Sequence, residues 1–147
     1  MSTGQHAFDD CFVRWGEGEL VLGNDVIERH WRLAGGLPVA TSLMDRRSGR
    51  EWIARPAATG TPRPAGWADG PCRLTVTAQA GCDAMPEARS LIVDLAIAGP
   101  AGDLALRLQV WPGLPAVSSR ITAWSGDGAT ATATGATAAS GIELAEQ

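Results

Sequence analysis

The sequence predicts an all-β protein, an antiparallel β-sandwich of about nine strands with a supersandwich-like layout and a low-complexity C-terminal tail. Apolar residues recur at every second position over most of the chain, which is the period of a strand with one buried face. Short glycine-rich turn signals separate these runs, and no segment offers a helical stripe with caps at both ends. With 147 residues, 45% of them apolar and 19% charged, the chain matches one globular domain.

The first five predicted strands are short and are separated by turns that contain glycine. They lie near residues 11–15, 19–23, 26–34, 38–45 and 50–54. In the third of these strands Ile27, Trp31 and Leu33 share one face, although Arg29 interrupts the row. The opposite face carries polar side chains, those of Glu28, His30 and Arg32. Runs joined by such short turns are typical of hairpins in an antiparallel meander.

The last four predicted strands alternate more regularly and lie near residues 72–79, 89–98, 103–111 and 116–124. In the first three of them, large apolar side chains fill one face: Leu74, Val76 and Ala78, then Leu91, Val93, Leu95 and Ile97, then Leu104, Leu106, Leu108 and Val110. The fourth strand alternates Val117, Ser119, Ile121 and Ala123 with Arg120, Thr122 and Trp124. We expect the apolar rows to face the interior of the sandwich.

Two segments do not follow this pattern. Residues 55–71 hold four prolines and three glycines, and a connection of that length is usually functional or disordered. Residues 126–141 consist almost entirely of Ala, Thr and Gly, which favours a frayed tail or linker over a further strand. The predicted organisation is therefore a polar lead over 1–10, the sandwich over 11–124, and a tail or the start of another strand over 125–147.

Composition and charge exclude several classes of partner. The net charge is −4 and no basic tract is present, which argues against nucleic acid. The longest apolar stretch, 91–98, is much shorter than the roughly 20 residues of a membrane span, and residues 1–10 do not resemble a secretory signal. Three cysteines, Cys11, Cys72 and Cys82, favour free thiols over disulfides or zinc. We therefore expect a cytoplasmic protein with neither cofactor nor metal.

Motifs of catalysis are largely missing. The chain lacks a Gly-x-Ser-x-Gly elbow, a His-Glu-x-x-His motif and a Walker loop, and without lysine or tyrosine it lacks a Schiff-base or phenolic catalyst. Its two histidines, His6 and His30, leave a nucleophile–histidine–carboxylate arrangement open. We expect no catalytic residues and no catalysis by this chain alone.

The tryptophans carry the most distinctive chemistry, because an indole ring both packs in a core and stacks on the C–H face of a sugar. Trp31, Trp111 and Trp124 lie in or at the end of predicted strands and are expected to pack, whereas Trp52 fits either role. Trp67 lies in the proline-rich loop with Asp69 and Arg63 nearby. These three residues are the candidate carbohydrate contacts, and the alternative is that Trp67 pins its loop to the sandwich.

Three stretches together resemble a known family. Residues 20–33 form a strand, an Asn-containing turn and an Arg-containing strand, and residues 35–52 contain an Asp-x-x-Ser-Gly turn followed by Gly-Arg-Glu-Trp. The third stretch, 106–121, includes the run Val-Trp-Pro-Gly-Leu-Pro. This series resembles the N-terminal β-sandwich domain of alpha-galactosidase-like glycoside hydrolases, which precedes a (β/α)8 catalytic barrel. Related sandwiches occur in sugar mutarotases, so the fold analogy is broader than the activity.

The resemblance implies a non-catalytic module. In that family the catalytic carboxylates lie on the barrel, which alone takes about 250 residues. The chain would then be an accessory domain or fragment that supports carbohydrate processing, with a barrel domain or a carbohydrate as its partner and an exposed strand edge that favours self-association. The alternatives are a free-standing carbohydrate-binding or protein-interaction sandwich and, third, a small independent enzyme.

Overall fold

A computed structural model describes residues 3–33, 38–53, 73–83, 88–99, 102–126 and 129–132 of the chain. Within these ranges every regular element is a β-strand, and the strands form two antiparallel sheets. The predicted all-β class and sandwich layering are confirmed.

The two sheets are consecutive meanders. The first, sheet 1, contains six strands in the order of the sequence: β1 (Gly4–Phe8), β2 (Cys11–Gly16), β3 (Glu19–Gly23), β4 (Ile27–Arg32), β5 (Val39–Asp45) and β6 (Arg50–Glu51). The second, sheet 2, contains five: β7 (Arg73–Cys82), β8 (Arg89–Gly99), β9 (Gly102–Val110), β10 (Val117–Gly126) and β11 (Ala129–Thr132). Every neighbour in each sheet is also the neighbour in sequence, as expected for hairpin connections.

All nine predicted strands are present, as β2 to β10, and the structure adds two more: one that was not predicted, and one in the segment where a tail was favoured over a further strand. The first, β1, lies within the polar lead and pairs with β2 from Gly4 opposite Trp15 to Phe8 opposite Cys11. The second, β11, lies within the Ala/Thr-rich segment and pairs with β10. Neither has the row of large apolar side chains on which the prediction depended. The predicted loop over 55–71 and the remainder of the tail lie outside the described residues.

The core lies between the two sheets. Sheet 1 contributes Cys11, Val13, Leu20, Leu22 and Trp31 to the main buried cluster, and sheet 2 contributes Leu91, Val93, Leu95, Leu108 and Val110. These sheet 2 residues come from the apolar rows predicted for β8 and β9. Burying several such side chains contributes roughly 1.5–3 kcal/mol each, which is the main favourable term in the folding of the sandwich.

One predicted face is wrong, at the end of β10. The alternation placed Ala123 with Ile121 and put Trp124 on the opposite face. In the structure the register shifts between Ile121 and Ala123, so that Trp124 pairs with the inward-facing Leu104. Trp124 packs against Ile97 and Leu104 in a second apolar cluster. A β-bulge inserts one residue into the alternation and therefore exchanges the two faces beyond it.

A charged network ties the connection after β7 to the outer face of sheet 2. The Arg107 guanidinium donates two hydrogen bonds to Asp94, at 2.7 and 2.9 Å, and a third to Asp83 at 2.7 Å. Arg120 also donates to Asp83. Burial would raise the pKa of Asp83, but the hydrogen bonds from Arg107 and Arg120 outweigh it and lower that pKa.

Candidate functional site

The two sheets are joined at one end by a buried asparagine in the turn between β3 and β4. The Asn24 side-chain amide donates to the backbone carbonyls of Trp111 and Leu114, at 2.7 and 2.8 Å. Its carbonyl oxygen accepts from the backbone N–H groups of Val26 and Ile27, at 2.8 and 2.9 Å. Asn24 is fully buried, so every polar atom of its side chain has a partner where water is excluded.

Two further contacts extend this Asn24 junction, which we define by Asn24, Arg46, Trp111 and Leu114. The Arg46 guanidinium donates to the backbone carbonyl of Asn24 at 2.9 Å. Nearby, the Asp10 carboxylate accepts from the backbone N–H of Gly113 at 3.0 Å, a second link from sheet 1 to the segment after β9. The junction therefore brings the β3–β4 turn, the β5–β6 turn and the chain after β9 to one place.

The turn that carries Arg46 is organised by Asp45. The carboxylate of Asp45 accepts hydrogen bonds from the backbone N–H groups of Arg47 and Ser48 and, at 2.8 Å, from the Ser48 hydroxyl. The hydrogen bonds from Ser48, followed by that from Arg47, lower the pKa of Asp45. Gly49 follows with φ 71°, a left-handed conformation that favours glycine. This is the Asp-x-x-Ser-Gly turn expected from the sequence, and it presents Arg46 toward the junction.

Charged side chains gather beside the junction, on the outer face of sheet 1. We call this group the Glu28 cluster; it comprises Phe12, Arg14, Glu28, His30 and Arg46. One carboxylate oxygen of Glu28 lies 2.6 Å from His30 Nε2 and 3.7 Å from an Arg14 nitrogen, and the other lies 3.8 Å from Arg46 Nε. The Glu28 side chain is only 10% exposed, whereas that of Arg14 is 59% exposed. One shielded anion is thus bordered by groups that solvent reaches.

The aromatic ring of Phe12 contacts both arginines of the cluster. The guanidinium carbons of Arg14 and Arg46 lie 5.6 and 5.3 Å from the centre of its ring, within the range of cation–π attraction. The ring reaches this position because its cross-strand neighbour is Gly23, where an added Cβ would lie 3.2 Å from Phe12 Cζ. A larger residue at position 23 would displace the Phe12 ring from the two arginines.

The arrangement beside His30 does not assemble a nucleophile and base. Ser42 pairs with His30 across β4 and β5, but its hydroxyl donates to the carboxylate of Glu51. Glu51 also accepts from the backbone N–H groups of Leu43 and Ile53, each at 2.8 Å. Burial would raise the pKa of Glu51, and these hydrogen bonds lower it instead. Ser42 and Glu51 therefore hold the β5–β6 hairpin together.

An exposed tryptophan borders the outer strand of sheet 1. Trp52 follows β6, its backbone N–H donates to the Leu43 carbonyl, and its residue surface is 46% exposed. The Arg50 guanidinium lies 4.2 Å from the centre of the Trp52 ring. We call this feature the Trp52 edge, comprising Arg50, Glu51 and Trp52. Trp31 and Trp111 are buried, as expected for packing residues, so the ambiguous Trp52 is the described tryptophan that faces solvent most.

The outer face of sheet 2 offers a second, shallower feature. A depression of about 390 Å³ lies on that side, with Thr75, Ala96, Ala105 and Ala123 among its lining residues. These residues are cross-strand neighbours in adjacent strands. These side chains are small and mostly apolar, and Arg73, Asp103 and Ser125 add polar groups to the same lining.

The sequence-predicted carbohydrate contacts, Trp67, Asp69 and Arg63, lie outside the described residues. The Glu28 cluster was not predicted, although its charged members and His30 are visible in the sequence as polar residues in strands and turns. They come from β2, β4 and the turn after β5, and only the strand register brings them together. The sequence signal for this cluster was the pair Glu28 and His30, because both lie on the polar face of the third predicted strand and are neighbours in the structure.

No group of three or more His, Cys, Asp or Glu residues suited to a metal ion occurs among the described residues. In those ranges the structure also contains no helix of the length and apolar character needed to cross a bilayer. No protein-family model, curated protein or solved structure matches this chain.

Proposed function

We propose that this chain is the non-catalytic β-sandwich module of an alpha-galactosidase-like glycoside hydrolase. In this proposal it supports carbohydrate processing by a (β/α)8 barrel and borders the carbohydrate site through the outer face of sheet 1. The observation that carries the proposal is the Asn24 junction, because all three stretches that resemble the family meet there.

The junction supports the proposal because residues from the three separate stretches are hydrogen-bonded to one another there. Asn24 belongs to stretch 20–33, Arg46 to stretch 35–52, and Trp111 to stretch 106–121. Hydrogen bonds of 2.7 to 2.9 Å connect Asn24 to the other two. The three stretches, which are far apart in the sequence, thus share one set of hydrogen bonds at the end of the sandwich.

The non-catalytic part of the proposal is supported by the surroundings of His30. His30 is engaged with Glu28, and the neighbouring Ser42 hydroxyl is engaged with Glu51. Retaining glycosidases need two carboxyl groups about 5–5.5 Å apart, one as acid and one as nucleophile. Here Glu51 is committed to the β5–β6 hairpin. The purified chain is therefore expected to leave nitrophenyl galactosides intact, and robust turnover would contradict this part of the proposal.

The coding DNA on either side of this chain tests the module proposal. We expect an adjoining or continuous reading frame that encodes a (β/α)8 barrel. A natural gene that ends at Gln147, with no barrel gene beside it, would overturn the proposal. Purified barrel protein, when available, should be stabilised by the chain in a thermal-shift assay. The Asp25→Ala variant is the control and should stabilise the barrel as the wild type does.

A second candidate is a free-standing carbohydrate-binding sandwich, and the Trp52 edge favours it. An exposed indole beside an arginine offers a flat apolar face and hydrogen-bond donors, the combination that sugar rings require. Titration calorimetry with galactosides would compare wild type with Trp52→Ala and Trp67→Ala, using Ile121→Ala in sheet 2 as the exposed apolar control. Loss of binding in either tryptophan variant alone would identify the contact. Equal binding by all four proteins would remove both tryptophans from the site.

A further inference from the structure

We propose that the Glu28 cluster is a binding site for an oxyanion, a carboxylate or sulfate group carried by a saccharide, held between Arg14 and Arg46. The inference rests on the carbohydrate function proposed above and names the chemical class of its ligand. Acidic saccharides of this kind present one charged group on a ring of hydroxyls.

Charge is the first argument. The cluster places one carboxylate, that of Glu28, against two arginines and a histidine. One of the two guanidinium charges is therefore left without a counter-charge inside the cluster. This local excess of positive charge occurs on a protein whose net charge is −4, so it is not a reflection of overall composition. A small anion completes the balance, and a cation would be repelled.

The hydrogen-bonding capacity of the arginines is the second argument. Their approaches to Glu28, at 3.7 and 3.8 Å, are longer than a hydrogen bond, whereas His30 approaches to 2.6 Å. Arg14 donates no hydrogen bond to any residue in the described part of the chain, and Arg46 uses one nitrogen on the Asn24 carbonyl. Each guanidinium carries five N–H donors in a planar fork, which suits the paired oxygens of a carboxylate or sulfate.

Positioning is the third argument. Both guanidiniums rest against the ring of Phe12, and Arg46 is also fixed by the junction. Part of the entropy lost when flexible side chains close on a ligand is therefore already lost in the free protein. Arg14 and Arg46 have side chains 59% and 36% exposed, so a ligand reaches them from solvent. The cluster is thus both accessible from solvent and preorganised for binding.

Calorimetric titration of the full chain with four probes tests the inference: galactose, galacturonate, galactose 6-sulfate and inorganic sulfate. We expect the acidic sugars to bind about tenfold or more tightly than galactose, with inorganic sulfate competing, because charged hydrogen bonds to guanidinium are added. Galacturonate and galactose 6-sulfate separate the carboxylate from the sulfate source. The gain is expected to shrink as salt rises.

Three variants locate the effect. Arg14→Ala and Arg14→Gln are expected to lower the affinity for the acidic sugars to the level of galactose. Arg32→Ala is the matched control, since Arg32 is an exposed arginine on the same face of β4, and it is expected to bind as wild type does. Circular dichroism melting confirms that each variant is folded.

The outcomes separate the two proposals. Equal affinities for galactose and galacturonate, or an unaffected Arg14→Ala, overturn the oxyanion inference while the carbohydrate function stands. Absence of binding by every sugar overturns the oxyanion inference and the free-standing carbohydrate-binding candidate, whereas the module proposal is decided by the neighbouring coding DNA.

Discussion

The side-chain amide of Asn24 donates to the backbone carbonyl of Trp111 across 2.7 Å, and this bond joins a turn of sheet 1 to the chain that follows β9 of sheet 2. The contact spans 87 positions of the sequence. It fastens the turn between β3 and β4 to the end of β9, next to the Glu28 cluster. Because Arg46 of that cluster also donates to Asn24, the position of Arg46 depends on this buried contact.

Replacement of Asn24 tests that dependence. Asn24→Ala leaves the carbonyls of Trp111 and Leu114 and the N–H groups of Val26 and Ile27 without their side-chain partner. We expect the free energy of unfolding to fall by about 2–4 kcal/mol, because each unsatisfied buried group costs about 1–3 kcal/mol. Urea unfolding followed by tryptophan fluorescence measures the loss. Asp25→Ala, at an exposed neighbouring position, is the control and is expected to change little.

Asn24→Asp adds a pH signature. A carboxylate at this position would face the carbonyl oxygens of Trp111 and Leu114, so the protonated form is favoured in the folded chain and the pKa is raised above its unfolded value of about 3.9. Stability should therefore fall as the pH rises above about 4. A variant whose stability matches wild type at pH 7 would contradict the role assigned to the amide.

Asp83 should contribute its full stabilisation only above its unfolded pKa. Because its pKa is lowered in the folded chain, the contribution is complete above about pH 4 and is lost as the pH falls further. At pH 7 Asp83→Asn should cost about 1–2 kcal/mol, and the difference from wild type should shrink toward pH 3. Asp103→Asn, in the same sheet and exposed, serves as control in urea titrations. A difference that is constant with pH would refute the network's electrostatic role.

Gly23 should tolerate no side chain. An added Cβ would lie 2.5 Å from the backbone oxygen of Ile27 and 3.2 Å from the Phe12 ring. Gly23→Ala is therefore expected to lower stability by about 1–3 kcal/mol and to displace Phe12 from under the arginines. Gly81→Ala is the matched control in sheet 2, since its Cβ would meet only the terminal methyl of Ile92, at 3.1 Å, which can shift. Equal melting temperatures for the two variants would contradict the assigned constraint.

The described cysteines should differ sharply in reactivity. Burial, with the charge of Asp10 as the next cause, raises the pKa of Cys11 to about 12, whereas Cys82 is exposed. Since the thiolate is the reactive form, Cys82 should react with a disulfide reagent at pH 8 and Cys11 only after unfolding. The measurement uses Cys72→Ser protein, because Cys72 lies outside the described residues, with Cys72→Ser/Cys82→Ser as control. Equal rates for both thiols in the folded chain would disprove the assignment.

The sequence predicted strands well where large apolar side chains alternate. Leu104, Leu106 and Leu108 define β9 because each period of two adds another buried side chain. β1 has only Phe8 as a large apolar residue, and β11 has only Ala and Thr, so their pairing comes from neighbouring strands and leaves no mark on the apolar pattern. The bulge before Ala123 is likewise set by pairing with β9.

The candidate site was harder to predict than the fold. Glu28 and His30 are two residues apart and lie on one face of any strand, so their proximity follows from the sequence. Arg14 and Arg46 reach Glu28 only through the register of β2 to β5, which alternation does not determine. Asn24 marked a turn, but no local pattern indicates that its amide reaches Trp111.

Self-association and the cytoplasmic location stay predictions.

The central claim is that carbohydrate binds at the outer face of sheet 1, and an NMR titration of the isotope-labelled chain with galactose and galacturonate tests it most directly. The account predicts shifts in the Trp52 indole N–H and in the Arg14 and Arg46 side-chain N–H signals, which saturate with added sugar. Signals of Ala96 and Ala105, on the outer face of sheet 2, should stay fixed. An unchanged spectrum, or shifts confined to sheet 2, would contradict the claim.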